Sequence, residues 1–303
     1  MIKQFDSLYD MMEAFPDEQS CIDHLRSIRW KSGANCSHCG STKVYHFSDK
    51  KSHKCGDCKK RFSIKVGTIF EDSKIPLRKW FMAIWLVTSH KMGVASTTLA
   101  RDIKVTQKTA WFMLHRLRHA ARTRSFNRPL DGTVEVDETF HGGKEKYKHA
   151  NKKQNAGRGA VGKAVIWGAL ERKGEFRAIH LGSVKDVKKA ALAHVSTDAT
   201  LITDEYAGYK GLSKTYYHKT VNHSSGEYAH TGNYFHTNSI EGAWSHIKRQ
   251  IYGIHHWISD KHLSSYLSEM TWRYNRREVE DGPRMNEFFG RVEGRLTYKE
   301  LIA

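Results

Sequence analysis

Long apolar runs are absent from this 303-residue sequence. The longest purely apolar stretch has eight residues, Trp80 to Val87, whereas a helix that crosses a bilayer needs about 20. The first 15 residues also lack the continuous apolar core of a signal peptide. We therefore expect a soluble, cytoplasmic protein without a membrane partner.

Acidic residues are scarce, since 32 Asp and Glu are outnumbered by 50 Lys and Arg, which leaves a formal net charge of +18. Residues 1–130 carry 24 basic against 11 acidic residues, and residues 131–303 carry 26 against 21. Basic side chains gain free energy by releasing counterions from phosphates, so the front half predicts a nucleic-acid partner. The alternative is a solvated surface. With 39% hydrophobic residues, the chain can build packed cores, so wholesale disorder is excluded.

Only five cysteines occur, and four of them form two C-x-x-C pairs: Cys36, Cys39, Cys55 and Cys58. Each pair can place two sulfurs on one metal, and the 15 residues between the pairs are typical of a four-cysteine zinc site. Together with short strand-like segments, this predicts a zinc ribbon with one structural Zn²⁺ per chain. A redox dithiol or disulfides fit an intracellular chain less well. The remaining Cys21 is expected to be buried filler, and the ribbon could contact DNA or protein.

Helical periodicity extends from Pro76 to about Arg124. One helix starts at Pro76, Ser96 is expected to cap a second short helix, and Thr106 a third. A tight connection before the last helix resembles a helix-turn-helix. The third helix would then present Thr106, Gln107 and Lys108 to base edges. Three helices that pack without contacting DNA are the alternative.

The second half of the chain alternates strand and helix patterns. Strands are predicted at 133–142, 164–171, 176–182, 200–206 and 216–223, with helices at 184–195 and from about Asn238 through Ile251. This order predicts an α/β domain of the ribonuclease H-like fold.

Three carboxylates converge in that predicted fold. Asp137 lies near the middle of the first strand, Asp204 at the end of the fourth, and Glu241 in the first turn of the late helix. Clustered carboxylates need a cation, and hard oxygen ligands suit Mg²⁺ or Mn²⁺. Two such ions can clamp the attacking and leaving oxygens of a phosphoryl transfer. For Glu241 the alternative is an ordinary acid at a helix N-terminus. Glu138, next to Asp137, is expected on the opposite face of its strand.

The late helix carries an apolar stripe: Ile240, Trp244, Ile247 and Ile251. Glu241 lies on the flank of this stripe, and Lys248 lies about 20° away from Glu241 around the helix. We therefore expect Lys248 and its neighbour Arg249 to hold DNA beside the metals. Lys144, after a pair of glycines, is a further candidate for phosphate binding, although a solvated lysine in a turn fits equally well.

Long motifs run through the chain in a fixed order: CSHCGS, CGDCKKRFSIKVGTIFEDSKIPLRKW, VEVDETFHGGK, ITDEYAGY and HTNSIEGAWSHIKR. They resemble those of bacterial insertion-sequence DDE transposases with an N-terminal zinc ribbon, the ISXO-type group. The resemblance implies an enzyme that binds terminal inverted repeats of double-stranded DNA, cleaves at the ends and joins the 3′-OH to target DNA. It implies Asp137 and Asp204 as metal ligands, with Glu241 favoured over Asn238 at the third position. It also implies a homodimer or larger assembly.

Five segments follow from these patterns. They are an N-terminal helical segment (1–30), the zinc ribbon (31–70), the helix-turn-helix-like domain (71–128), the catalytic domain (129–280) and a C-terminal tail (281–303). Two other functions compete with the transposase hypothesis. One is a non-catalytic DNA-binding regulator, and the other is a structure-specific nuclease on the same fold.

Overall fold

The computed structural model describes residues 3–122, 128–143, 149–153, 162–221 and 234–303. The chain forms two compact units: unit 1 comprises Met1–Arg122 and Arg276–Ala303, and unit 2 comprises Thr123–Asn275. The end of the chain, expected to be a tail, therefore belongs to the same unit as the N-terminal segments. None of the helices in the described ranges is long and apolar enough to cross a membrane.

Unit 1 begins with two capped helices, α1 (Leu8–Ala14) and α2 (Glu18–Arg29). The Asp17 carboxylate accepts a hydrogen bond from the backbone N–H of Ser20 at 2.7 Å. The Ser20 hydroxyl in turn accepts one from the backbone N–H of Asp17, which completes a capping box. Cys21 lies in α2 with no exposed surface. Burial raises the pKa of this thiol to about 12, so Cys21 is the buried filler that was predicted.

The ribbon follows as a three-stranded antiparallel sheet. Its strands are β1 (Val44–His46), β2 (Ser52–Cys55) and β3 (Arg61–Ser63), in that spatial order. Such short strands bury little apolar surface: only Cys36, Cys55 and Phe62 form the buried cluster described here, with a few half-buried neighbours. The sheet therefore needs another source of stability.

Three helices complete the N-terminal part of unit 1: α3 (Leu77–Ser89), α4 (Ser96–Asp102) and α5 (Gln107–Ala121). Pro76 precedes α3 without a side-chain cap, and the Glu18 carboxylate accepts the Leu77 N–H at 3.0 Å instead. Thr106 caps α5 as predicted. The prediction that Ser96 caps α4 was wrong, because Ala95 occupies the cap position and Ser96 is the first helical residue.

Unit 2 is built on a five-stranded mixed sheet. Its strands are β4 (Thr133–His141), β5 (Ala164–Glu171), β6 (Phe176–Leu181), β7 (Thr200–Thr203) and β8 (Tyr217–Thr220). The spatial order is β6-β5-β4-β7-β8; β4, β5 and β6 pair antiparallel, whereas β7 runs parallel to both β4 and β8. The predicted α/β class is confirmed.

Helices cover both faces of this sheet: α6 (Val187–His194), α7 (Asn238–Gln250) and α8 (Asp260–Asn275). Val134 and Val136 of β4 pack in one apolar cluster with residues of α6. The other cluster joins Ile166 of β5 to residues of α7 and α8. Since successive residues of a strand point to opposite faces, Asp137 points to the α7 side. The predicted α7 stripe is buried, and the helix ends at Gln250 before a π-helical turn, Ile251–His255.

The chain then returns to unit 1 as α9 (Asp281–Phe289) and α10 (Tyr298–Ile302). Phe288 and Phe289 are 1% exposed, and the ring of Phe289 lies 4.4 Å from that of Phe81 on α3. Arg284 donates to the carbonyl of Thr88 at 2.8 Å. Residues 281–303 are therefore part of a core, and their short apolar stripe was too brief for the sequence pattern to reveal it.

Candidate functional site

The four paired cysteines form one cluster in unit 1. Their sulfur atoms all lie within 4.8 Å of one another, with 3.7 Å between Cys36 and Cys58 and 3.6 Å between Cys39 and Cys55. Zinc–sulfur bonds of about 2.3 Å in a tetrahedron require sulfurs roughly 3.8 Å apart. The donor set and its spacing therefore fit a structural Zn²⁺.

The two turns of the ribbon explain how the sulfurs meet. Gly40 adopts φ +76°, which favours glycine, and a Cβ on Gly56 would lie 3.1 Å from the side chains of Lys43 and Tyr45. Burial raises the pKa of the Cys55 thiol, but hydrogen bonds from the backbone N–H groups of Cys58 and Asp57, and from the Cys39 and Cys58 side chains, together lower this pKa to about 6. The thiolate is the form that binds metal.

In unit 2, strand pairing brings Asp137 and Asp204 together. Strands β4 and β7 run parallel with Glu135 opposite Ile202. Two residues further along each strand, the same register places Asp204 beside Asp137. Asp204 directly follows the last residue of β7, and its carboxylate accepts the N–H of Tyr206 at 3.0 Å.

The electrostatics of Asp137 reveal its neighbours. Burial, together with the negative charges of Asp204 and Glu241, raises the pKa of Asp137 to about 6, although hydrogen bonds from the Glu138 backbone and the Trp244 indole act in the opposite direction. Asp204 and Glu241 therefore both lie close enough to act on the Asp137 carboxylate. Because a bound cation removes this repulsion, the donor set fits a hard divalent ion.

The carboxylates are not packed as tightly as the cysteines. Within the described ranges, the four cysteines alone form a group of three or more candidate ligand atoms within 4.8 Å of one another. Asp137, Asp204 and Glu241 therefore span a wider site than the zinc centre.

Trp244 fixes the Asp137 side chain. Its indole Nε1 donates to Asp137 Oδ2 at 2.9 Å, and the ring lies over Gly168, the residue paired with Asp137 on β5. A Cβ on Gly168 would lie 2.4 Å from the indole. Trp244 was expected only as part of the apolar stripe, and no signal in the sequence marks its contact with Asp137.

No sequence pattern marks Glu135 as a functional residue. Its side chain has no exposed surface and joins β4 to the start of α7. By contrast, Glu138 points to the opposite face, as expected, and accepts a hydrogen bond from Tyr209 at 2.7 Å. Burial, with Asp204 and Asp137 nearby, raises the pKa of Glu138 to about 7. Glu135 lies in the segment VEVDET, and no motif or residue spacing distinguishes it there from an ordinary strand residue.

The remaining described candidates in unit 2 lie on α7. Glu241 is exposed in the first turn and accepts a hydrogen bond from the Thr237 hydroxyl at 3.3 Å. Asn238, Lys248 and Arg249 are also exposed. Lys144 lies outside the described residues.

The candidate DNA contacts in unit 1 lie at the N-terminus of α5. Thr106, Gln107 and Lys108 are exposed there. Gln107 donates to the hydroxyl of Ser96 at 2.9 Å, and the Lys108 ammonium lies 5.5 Å from the centre of the Tyr298 ring on α10. This end of α5 is thus anchored to α4 and flanked by α10.

Two family models match the chain. Residues 129–275 match the ISXO2-like transposase domain, and residues 16–61 match the transposase zinc-ribbon domain. The first range contains Asp137, Asp204 and Glu241, and the second contains all four clustered cysteines. Each of the two candidate centres therefore lies within a matched domain.

Relatives extend the match along the chain. An uncharacterized protein in transposable element ISH50 of Halobacterium salinarum is 27% identical over 285 residues, which cover 88% of this chain and 93% of that protein. An uncharacterized transposase-like protein of Haemophilus influenzae is 33% identical over 86 residues, 28% of this chain and 67% of that protein. The Mos1 strand transfer complex shares 13% identity over 70% of this chain and 81% of its own, with a TM-score of 0.21, which is too low to support an inference.

Proposed function

This chain belongs to the ISXO2-like transposases that carry a zinc ribbon, and on that premise we propose that it cuts and joins DNA. It would bind the terminal inverted repeats of a transposable element, cleave at the ends and join the freed 3′-OH to target DNA. The observation that carries this proposal is that Asp204 and Glu241 both lie close enough to Asp137 to raise its pKa. Such a group of acids is what metal-dependent phosphoryl transfer requires.

The fold assignments within this proposal rest on topology. A sheet with strand order β6-β5-β4-β7-β8 and β7 parallel to β4 supports a ribonuclease H-like catalytic domain. Helices α4 and α5, joined by Ile103 to Thr106, support a helix-turn-helix. The exposed N-terminus of α5 would then read bases with Thr106, Gln107 and Lys108.

Asp137, Asp204 and Glu241 would hold two Mg²⁺ or Mn²⁺ ions, with Asn238 as the alternative third ligand. When bound, these ions neutralise charge on the transferred phosphoryl group and activate the attacking oxygen. Two ions would draw on ligands spread over a wider site than one ion would, which suits carboxylates that are not all within 4.8 Å of one another.

The chain's own groups orient and bind. Trp244 holds one oxygen of Asp137, so the other oxygen stays directed to the site. Lys248, roughly 10 Å along α7 from Glu241, would contact a backbone phosphate, with Arg249 beside it. Zn²⁺ on the four cysteines would fold the ribbon. We further propose a cytoplasmic, DNA-associated homodimer or larger assembly, because joining two ends requires both to be held at once.

A strand-transfer assay tests the proposal. Wild-type protein with Mg²⁺ and labelled terminal-repeat DNA should give cleaved and joined products, and Asp137→Asn and Asp204→Asn should abolish both. Asp198→Asn, an exposed acid just before β7, is the matched control and should leave both products unchanged. Binding without cleavage would favour a regulator, and cleavage without joining would favour a nuclease.

The third ligand is resolved in the same assay. We expect Glu241→Gln to lose cleavage and Asn238→Ala to retain it, because a charged oxygen binds Mg²⁺ better than an amide. The opposite pattern would assign the position to Asn238.

A further inference from the structure

We infer that Glu135 and Arg172 form a positioning pair that holds α7, and with it Glu241, against the strand that carries Asp137. This inference rests on the proposed function, because it concerns the geometry of the same metal site. Neither residue is a candidate metal ligand. The Glu135 carboxylate is fully enclosed by protein, and the Arg172 guanidinium is a cation that has only hydrogen-bond donors.

The contacts of Glu135 show what it holds. One carboxylate oxygen accepts from Arg172 Nε at 2.6 Å, and the other accepts the backbone N–H groups of Ser239 at 2.9 Å and Ile240 at 3.0 Å. A buried carboxylate is tolerated only when it is paired and hydrogen-bonded in this way. Two of the first N–H groups of α7 are therefore bound by a side chain from β4.

Arg172 holds the segment that leads into α7. Besides Glu135, its guanidinium donates to the carbonyl of Tyr234 at 2.7 Å and to that of His236 at 3.0 Å. Its own backbone N–H donates to the carbonyl of Thr133, the first residue of β4, at 2.9 Å. One planar fork thus ties the approach to α7 to the same end of β4.

Local capping does not supply this contact. The N-cap residue of α7, Thr237, makes no side-chain cap, and its hydroxyl donates to Glu241 instead. The N-terminus of α7 is set by β4 rather than by its own sequence. A negative charge there also stabilises the helix dipole.

The position of the pair connects it to the proposed ligands. Glu135 lies two residues before Asp137 on the same face of β4, and it binds the N–H of Ile240, the residue before Glu241. Glu135 therefore ties the strand that carries Asp137 directly to the residue that precedes Glu241. Breaking the pair should let α7 shift and separate the ligands.

The experiment compares Glu135→Ala and Glu135→Gln with wild type. We expect Glu135→Ala to raise the Mg²⁺ concentration for half-maximal cleavage roughly 10- to 100-fold, as expected when a group that orients a metal ligand is removed. Glu135→Gln retains an oxygen for the two N–H groups, so its Mg²⁺ concentration for half-maximal cleavage should lie between those of wild type and Glu135→Ala. Binding of terminal-repeat DNA should not change.

A second readout does not depend on cleavage. With added hydrogen peroxide, Fe²⁺ bound at the site is oxidised to Fe³⁺ and cleaves the peroxide to hydroxide and a hydroxyl radical, and added ascorbate returns the iron to Fe²⁺. The radicals cut nearby backbone, so wild type should fragment beside Asp137 and Asp204. Glu135→Ala should fragment less at these positions at equal Fe²⁺. The matched control is Glu269→Gln, because Glu269 is a buried acid paired with Arg273 within α8, away from the start of α7. It should keep wild-type metal dependence.

The outcomes separate this inference from the proposed function. If Asp137→Asn abolishes cleavage while both Glu135 variants keep wild-type metal dependence and fragmentation, the positioning pair is wrong and the proposed function stands. Equal losses in Glu135→Gln and Glu269→Gln would also overturn the inference, since they would reflect general destabilisation. If wild type neither cleaves DNA nor fragments with Fe²⁺, the proposed function itself fails. Should Glu135→Ala not fold, Glu135→Gln decides alone.

Discussion

Gly168 shows how one missing side chain shapes the neighbourhood of Asp137. Its Cα position on β5 is covered by the Trp244 indole, 2.4 Å from where a Cβ would lie. We predict that Gly168→Ala displaces the indole, breaks its hydrogen bond to Asp137 and lowers stability by about 1–3 kcal/mol, the usual result of overpacking a core. The midpoint temperature of thermal unfolding and the rate of DNA cleavage should both fall.

Gly182→Ala is the control for that substitution, because a Cβ at Gly182 would meet nothing within 4 Å. It should change neither stability nor cleavage. If Gly168→Ala unfolds and cleaves like wild type, the indole does not orient Asp137.

His24 makes unit 1 sensitive to acid. Burial lowers the pKa of His24 from 6.5 to about 4, although a hydrogen bond between its Nε2 and the side-chain oxygen of Asn286, at 3.1 Å, acts in the opposite direction. Since the unfolded chain binds this proton more readily, stability is present above pH 6.5 and falls as the pH drops toward 4. We predict that this group costs on the order of 2 kcal/mol between pH 7 and pH 5.

The measurement is urea unfolding at both pH values. His24→Phe fits the surrounding rings of Phe15, Phe81 and Phe289 and should flatten the dependence by that amount. An identical slope in wild type and variant would show that His24 does not titrate on unfolding.

At the scale of elements, the ribbon is a sheet that buries too little apolar surface to be stable by itself. Its three strands bury only a small cluster, so bound metal must contribute most of its folding free energy. We predict one zinc per purified chain, loss of the ribbon's structure on chelation, and loss of zinc from Cys36→Ser.

Cys21→Ala is the matched variant, since Cys21 is buried in α2 and free. It should retain a full equivalent of zinc. Protein that was never exposed to chelator and contains no zinc would refute the zinc centre.

The elements also show what the sequence could and could not predict. Spacing alone located the cysteines, and strand and helix periods placed Asp137 on β4 and Glu241 in the first turn of α7. The strand predicted at 200–206 ends at Thr203, so Asp204 lies just after it. The cap of α3 by Glu18 and the contact of Trp244 with Gly168 depend on which elements become neighbours and in which register. Local patterns carry no record of such pairings, and for the same reason Glu135 was overlooked.

At the scale of the whole molecule, the two units differ in how they are encoded. Unit 2 is one continuous stretch, whereas unit 1 is assembled from both ends of the sequence. We predict that a chain truncated after Glu280 loses unit 1, because Phe288 and Phe289 fill its core and removing one buried Phe typically costs about 3–5 kcal/mol. Circular dichroism and terminal-repeat binding should both show the loss.

A truncation after Gly294 is the milder comparison. It removes α10, in which Leu301 is the buried residue, and should leave a folded unit 1. If the longer truncation binds repeat DNA like wild type, α9 is dispensable.

Because unit 1 is made of two separate stretches of the chain, its parts are synthesised at different times. A ribosome delivers residues 1–122 first, then all of unit 2, and only afterwards the helix α9 that completes the core around α3. The α3 surface that receives Phe289 therefore stays uncovered while unit 2 is being made. Unit 2 can finish folding before the core of unit 1 is complete.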